Sequence, residues 1–202
     1  MNKFDSLFNE TKGKTIVAVT KYVSSLDARE LFSFGFNNMG ENRVDEFLKK
    51  YDDLSDLNIT WHFIGHLQRN KSKLVLNKID YLHSLDSLEL AEIIDKERVN
   101  PLPCFIELKL TDNKNKHGVK EEDLDNFMDE IKKYSKVKVI GFMAMSDKGQ
   151  SDDEIKEVFH KANILKDKYN LKYLSMGMSD DYKIALSIGT THLRLGRILF
   201  RY

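Results

Sequence analysis

The sequence predicts a closed parallel (β/α)8 barrel, an α/β TIM-barrel architecture formed as a single domain over residues 1–202. Three observations carry that expectation. Apolar strand-like runs alternate with amphipathic helical segments, eight such runs fit in the chain, and no proline- or glycine-rich linker divides them. Strands separated by helices pair in parallel, because each crossover returns the chain to the same end of the sheet. A chain of 202 residues sits at the lower edge of the size range for this fold. An open doubly wound sheet would use fewer strands at this length. It would also favour a Gly-x-Gly-x-x-Gly turn after the first strand, and none is present.

Each element follows from local pattern. Phe4, Leu7 and Phe8 share a face and predict a short helix ahead of the first strand, TIVAVT (15–20). LDARELFSFG (26–35) reads as a helix closed by Gly35, NNMGE (37–41) as a brief strand, and RVDEFLKKYDDL (43–54) as a helix. TWHFIG (60–65) is a strand, KSKLVLNKI (71–79) a helix, and DYLHSL (80–85) a strand. A helix then starts at Ser87 with Leu88, Ala91 and Ile94 on one side. PCFIELKL (103–110) is the fifth strand, and the polar loop TDNKNKHG leads to a helix near 121–135. VKVIGFMAM (137–145) is the longest apolar strand. Ser151 and Glu154 form a capping box opening a helix with the stripe Ile155, Val158, Phe159, Ala162 and Leu165. KYLSMG (172–177), DYKIALSIG (181–189, stopped by Gly189) and THLRLG (191–196) complete the pattern as strand, helix and strand.

Composition removes several classes of function. The 32 basic and 32 acidic side chains cancel, whereas nucleic-acid-binding domains carry a basic excess. The basic run Arg69-Asn70-Lys71-Ser72-Lys73 fits a solvated helix face. No apolar stretch approaches a membrane span, and MNKFDSLFNE lacks the apolar run of a signal peptide. A single cysteine, Cys104 in PCFIEL, excludes an intrachain disulfide; it suits a buried thiol and a cytoplasmic location.

In such a barrel the functional groups gather where the strands end. Lys21 follows the first strand and Gly40-Glu41-Asn42 the second. Gly65-His66-Leu67-Gln68 follows the third, and Asn115-Lys116-His117-Gly118 lies in the loop after the fifth. Ser175-Met176-Gly177-Met178-Ser179 and Arg194-Leu195-Gly196-Arg197 end the seventh and eighth, the usual phosphate-binding end of the fold. They offer hydroxyls, glycines that admit an anion to the backbone, and two arginines. Asp180 and Asp181 oppose a phosphate on the axis of the next helix, so the expected position is nearer Ser175, Gly177 and Gly196.

A lysine at a strand end is either an ordinary surface residue or an amine losing water at the mouth, where its neutral form attacks carbonyls. Opposite a phosphate pocket it suits an aldehyde bearing a phosphate. Pyridoxal 5′-phosphate (PLP) and a phosphosugar held by a Schiff-base aldolase both meet that description.

The strings TIVAVTK, MGEN, WHFIGHLQRNKSK, NKHG, GFMAM, LSMGMSDDY and LRLG, in this order over about residues 15–200, resemble the pyridoxal phosphate homeostasis proteins. That family is related to the barrel domain of alanine racemase. The resemblance implies a fold type III PLP barrel lacking the C-terminal β domain, and PLP as cofactor on Lys21. It places Asn42 beside the cofactor and implies phosphate contacts at Ser175, Gly177, Arg194 and Gly196, with Met176 and Ser179 near. Three positions depart from the pattern. Arg197 stands where a hydroxyl residue is usual and is taken as a cofactor-binding residue in its place; Lys109 replaces an asparagine, and Arg201 a glycine. The resemblance further implies a cytoplasmic, non-catalytic monomer that stores or delivers PLP, with PLP-dependent apoenzymes as recipients. A weak amino-acid racemase or lyase is the alternative. Alanine racemase uses a second domain for its opposing acid/base, and only six residues follow Gly196. His62, His66 and Lys116 are the remaining candidate bases. His62 within a strand reads as a packed residue, and its spacing to His66 does not make a zinc pair, so no metal site is expected.

Overall fold

The computed structural model describes residues 3–111, 113 and 116–200; Asn115 and Arg201, singled out above, lie outside them. The strands are β1 (Thr15–Val19), β2 (Asn38–Glu41), β3 (Thr60–Phe63), β4 (Tyr81–Leu85), β5 (Leu102–Lys109), β6 (Val119–Lys120), β7 (Val137–Met143), β8 (Tyr173–Ser175) and β9 (His192–Leu195). All but β6 form the wall, in the order β4-β3-β2-β1-β9-β8-β7-β5, and a β4–β5 pairing closes it. Every pairing is parallel, as the strand–helix alternation predicts. The helices are α1 (Asp5–Glu10), α2 (Ser25–Ser33), α3 (Val44–Asp53), α4 (Arg69–Ser72), α5 (Leu88–Glu97), α6 (Leu124–Glu130), α7 (Asp152–Lys168) and α8 (Tyr182–Ile188).

The two-residue period of β1 separates two cores. Ile16 and Ala18 join the large apolar cluster between wall and helices, with Leu31, Met39 and Leu193 among its members, while Val17 and Val19 lie outside that cluster. Phe4 and Leu7 of the N-terminal segment are buried in the same cluster. Ser24 and Ser151 cap α2 and α7 through reciprocal bonds to Asp27 and Glu154. Gly189 ends α8 in the left-handed region at φ 107°.

Three elements differ from expectation. The 71–79 helix is only the single turn α4, followed by turns. Arg98 donates to the carbonyls of Leu76 and Ile79, so tertiary bonds take acceptors that a continuing helix would use. The 121–135 helix is α6 flanked by 3-10 turns at Glu121–Asp123 and Ile131–Lys133. The strand β6, hidden in a polar context, pairs beside the end of β5. The basic run around α4 is exposed and ion-paired: Arg69 faces Glu89, Lys71 Asp45 and Lys73 Glu97. None of the described helices is long and apolar enough to cross a membrane.

Backbone packing between β7 and β8 leaves no room at Gly141, where a Cβ would lie 2.1 Å from the Tyr173 carbonyl oxygen. Gly141→Ala should therefore push the two strands apart and cost about 1–3 kcal/mol of unfolding free energy, read by urea denaturation.

Candidate functional site

Thr20, immediately after β1, is fixed through every polar atom it carries. Its N–H donates to the Gly40 carbonyl (3.1 Å) and its hydroxyl to Glu41 Oε1 (2.6 Å), while its own carbonyl accepts from Lys50 Nζ (2.9 Å). Lys50, from α3, also reaches Glu41 Oε1 at 2.7 Å, and both side chains are buried. The next residue, Lys21, thus leaves a rigid base. It is exposed, so the loss of water expected of an amine at this strand end is not observed. Its Nζ lies 5.8 Å from the ring centroid of Tyr22, itself 81% exposed and left-handed at φ 69°.

Asn42 follows β2. Its Oδ1 is buried without a hydrogen-bond partner among the described residues. Gly65 closes over it, and a Cβ there would lie 2.3 Å from the Asn42 carbonyl oxygen. Only glycine permits that approach.

Inside the barrel a polar chain runs Asn38–His62–His83–Ser175–Arg194. His62 Nε2 meets Asn38 Oδ1 at 3.0 Å, His62 Nδ1 meets His83 Nε2 at 2.9 Å, and His83 Nδ1 meets Ser175 Oγ at 2.7 Å. Burial, with the charge of neighbouring His192, lowers His62 to about 3, and burial drives His83 well below the usual histidine range. Both rings are neutral at pH 7 and carry one proton each. Because Asn38 Oδ1 only accepts, His62 carries its proton on Nε2. Its Nδ1 then accepts from His83 Nε2–H, and His83 Nδ1 accepts from the Ser175 hydroxyl. The Ser175 oxygen accepts in turn from Arg194 Nη1 at 2.6 Å. Its hydroxyl thus donates to His83 and accepts from Arg194. Arg194 is buried, donating also to the carbonyls of Ser175 (2.7 Å) and Ala144 (3.1 Å), and burial lowers it to about 10. His62 is the packed, hydrogen-bonded residue expected, and it does not meet His66.

The loops after β8 and β9 form a second cluster. The backbone N–H groups of Gly196 and Ile198 both point at Ser179 Oγ, each at 3.3 Å. Gly177 turns the chain at φ 96°, where a Cβ would lie 2.7 Å from that of Ala185, and its carbonyl accepts from the Arg194 N–H at 2.9 Å. Met176 is fully buried. The register Ala18↔Leu195 puts this cluster on the strand beside that of Lys21, with Gly196 against Val19. Asp181 is not a free repulsive charge: it accepts from Ser146 Oγ (2.6 Å) and the Met178 N–H (2.5 Å). Arg197 is exposed and ion-paired with Asp180, so its guanidinium is drawn to that carboxylate.

Sequence reasoning passed over Glu107 and Asp86. Glu107, at the end of β5, is buried, and that burial, with Asp86 nearby, raises it to about 7. An acidic residue inside the apolar run PCFIEL is the signal that would have found it. Lys116, expected as a base, is tied to the carbonyls of Met145 and Ser146 (2.9 Å each) and to Asp147 (2.7 Å).

The parallel eight-stranded barrel, with a lysine after its first strand and backbone donors after its last, can be compared with known proteins. The chain matches the family "Alanine racemase, N-terminal domain" over residues 2–202. It is 37% identical over 194 residues to the pyridoxal phosphate homeostasis protein of Aquifex aeolicus, covering 92% of this chain and 85% of that one. The Synechocystis protein of the same name is 34% identical, covering 92% and 89%. Among solved structures, PipY of Synechococcus elongatus with PLP bound superposes with a TM-score of 0.90 at 31% identity, covering 96% of both chains. The chain belongs to the alanine racemase N-terminal domain family and, within it, to the pyridoxal phosphate homeostasis proteins.

Two measurements check these electrostatics. Lys50→Ala leaves Glu41 buried and unpaired and should cost about 3–5 kcal/mol of stability by chemical denaturation. Acidification tests the buried histidines. His62, His83 and His192 (lowered to about 4 by burial, then Arg194) take up protons on unfolding, whereas Glu107 releases one. Stability should thus be full above about pH 7 and fall as pH drops from about 6.5 to 4.5, with a net uptake of about two protons.

Proposed function

We propose that this chain binds PLP at the barrel mouth, holds it as a Schiff base on Lys21, and serves intracellular PLP homeostasis by storing the cofactor or delivering it to apoenzymes. The observation that carries the proposal is the pairing, on adjacent strands, of Lys21 with the Gly196 and Ile198 N–H donors gathered at Ser179. A phosphate accepts hydrogen bonds only, and two convergent backbone donors beside a hydroxyl suit it. The buried, unpartnered Asn42 Oδ1 supports a polar occupant beside Lys21, because a buried acceptor without a partner is costly. PLP bound in PipY, at 31% identity, supports the cofactor's identity.

Bound PLP supplies an aldehyde that captures amines. Lys21 contributes the amine from a fixed backbone, Gly177 lets the turn pack closely against Ala185 and Leu193, and Gly196, Ile198 and Ser179 hold the phosphate. Arg194 has only donors to offer. A ring nitrogen set against it stays unprotonated, which weakens the electron withdrawal that amino-acid chemistry needs. That favours a carrier over an enzyme. Arg197, already paired with Asp180, takes a marginal part in phosphate binding. The carrier is cytoplasmic and monomeric in this proposal.

One observation favours the alternative of a weak racemase or lyase. Glu107, with its carboxyl near neutrality in the mouth, is suited to proton transfer.

Borohydride reduction of the PLP-loaded protein, followed by peptide mass spectrometry, should place a pyridoxyl group on the Lys21 peptide; an adduct only on other lysines overturns the assignment. Lys21→Ala should lose the near-visible absorbance yet retain weaker PLP binding through the phosphate donors. In deuterated water, loaded protein given single amino-acid enantiomers should leave the α-hydrogen in place. Exchange at a catalytic rate, lost in Glu107→Gln, would establish the enzyme instead.

A further inference from the structure

Three separate loops bring two imidazoles and a carboxylate together at the barrel mouth. His66 follows β3, Asp86 follows β4, and His117 lies between β5 and β6. His66 Nδ1 is 3.0 Å from Asp86 Oδ2, and His117 Nδ1 is 3.9 Å from the same oxygen. The two rings stack at a centroid distance of 3.8 Å and an interplanar angle of 13°. One donor atom from each residue lies within 4.8 Å of the other two. From this juxtaposition we propose that His66, Asp86 and His117 bind one divalent transition-metal ion, with water completing its coordination. The proposal does not depend on PLP.

The ligand chemistry selects the metal. Calcium and magnesium take oxygen donors, whereas two imidazoles with a carboxylate suit zinc and its first-row neighbours. Tetrahedral zinc with bonds of about 2.0–2.2 Å needs donors roughly 3.3–3.6 Å apart, and the contacts at 3.0 and 3.9 Å bracket that spacing. Both histidines are half-exposed, at 42% and 56% of the side chain, so modest rotations about their own bonds bring the nitrogens in and leave room for water. Asp86, with 9% of its side chain exposed, is the least exposed member and anchors the set.

Neighbouring bonds fix the loops. Ser84 Oγ donates to the Gly65 carbonyl at 2.5 Å, immediately before His66. Lys116, immediately before His117, is bound to Met145, Ser146 and Asp147. Convergence from three tied segments distinguishes the cluster from a chance surface pair. His66 and His117 are far apart in the chain and lack the helical spacing of zinc motifs, so their meeting is a property of the fold and not of a local motif.

The test uses tag-free, chelator-treated full-length protein without PLP, titrated with zinc chloride by calorimetry. One equivalent should bind, and His66→Ala, His117→Ala and Asp86→Asn should each weaken binding by at least about tenfold. His160→Ala, on the exposed face of α7, should leave it unchanged. Cobalt chloride should give visible absorption that the same three variants lose, while circular dichroism confirms that each is folded. Absence of stoichiometric binding, or binding unaffected by His66→Ala and His117→Ala, overturns the proposal. Failure of PLP to bind leaves this readout intact, so the two proposals fail separately.

Discussion

The mouth of the barrel is organised around the buried pair of Lys50 and Glu41. A charge in the interior needs a partner, and the Glu41 carboxylate meets its partners through Oε1 alone, its Oε2 being buried without a hydrogen-bond partner among the described residues. Here Lys50 bonds both Glu41 Oε1 and the Thr20 carbonyl, and Thr20 closes the triangle with its hydroxyl. One ammonium therefore ties α3 to the ends of β1 and β2. Such a pair is weak evidence for net stability against an apolar replacement, but it specifies one arrangement of three elements. Lys21 and Asn42 inherit their positions from it.

A second constraint runs through the barrel itself. Barrels of this class are commonly filled by layers of branched aliphatic side chains. This one threads histidines through that space, with His83 against Phe105 at 4.4 Å and Phe105 against His192 at 5.0 Å. Each link of the hydrogen-bonded chain has one proton between two heavy atoms, so the acceptor at Asn38 decides the tautomers all the way to Ser175. Arg194 is then held by an oxygen whose orientation is already set. The guanidinium at one end of the barrel depends on an amide near the other.

The wall was legible because periodicity reports burial directly. β1 and β7 appear at nearly their observed bounds, and Gly35, Gly189 and the Ser151–Glu154 box mark real helix ends. What failed did so for tertiary reasons. The helix after β3 was shortened where Arg98 takes its carbonyls, a contact between residues 19 and 22 positions apart. At the site, type and position left Lys21 open between a surface residue and a reactive amine, and only the resemblance of the whole string of motifs singled it out. Glu107 and Asp86 were not singled out, since what surrounds them comes from other strands and loops, and the bond of Ser175 to His83, 92 positions away, is equally invisible in sequence. The water expected to be stripped from Lys21 was inferred from a strand end, whereas Tyr22 turns outward and leaves the amine in solvent.

The contrast between Thr20, with no polar atom free, and Lys21, with a solvent-exposed side chain, has a kinetic meaning. Rotations of an exposed side chain take picoseconds to nanoseconds, while loop and lid motions take far longer. None of the described residues covers this lysine, so a reagent in solution reaches it without a prior loop movement. A covalent adduct of the kind proposed on Lys21 would then exchange at a rate set by making and breaking its bond, and thickening the solvent with sucrose would barely slow it.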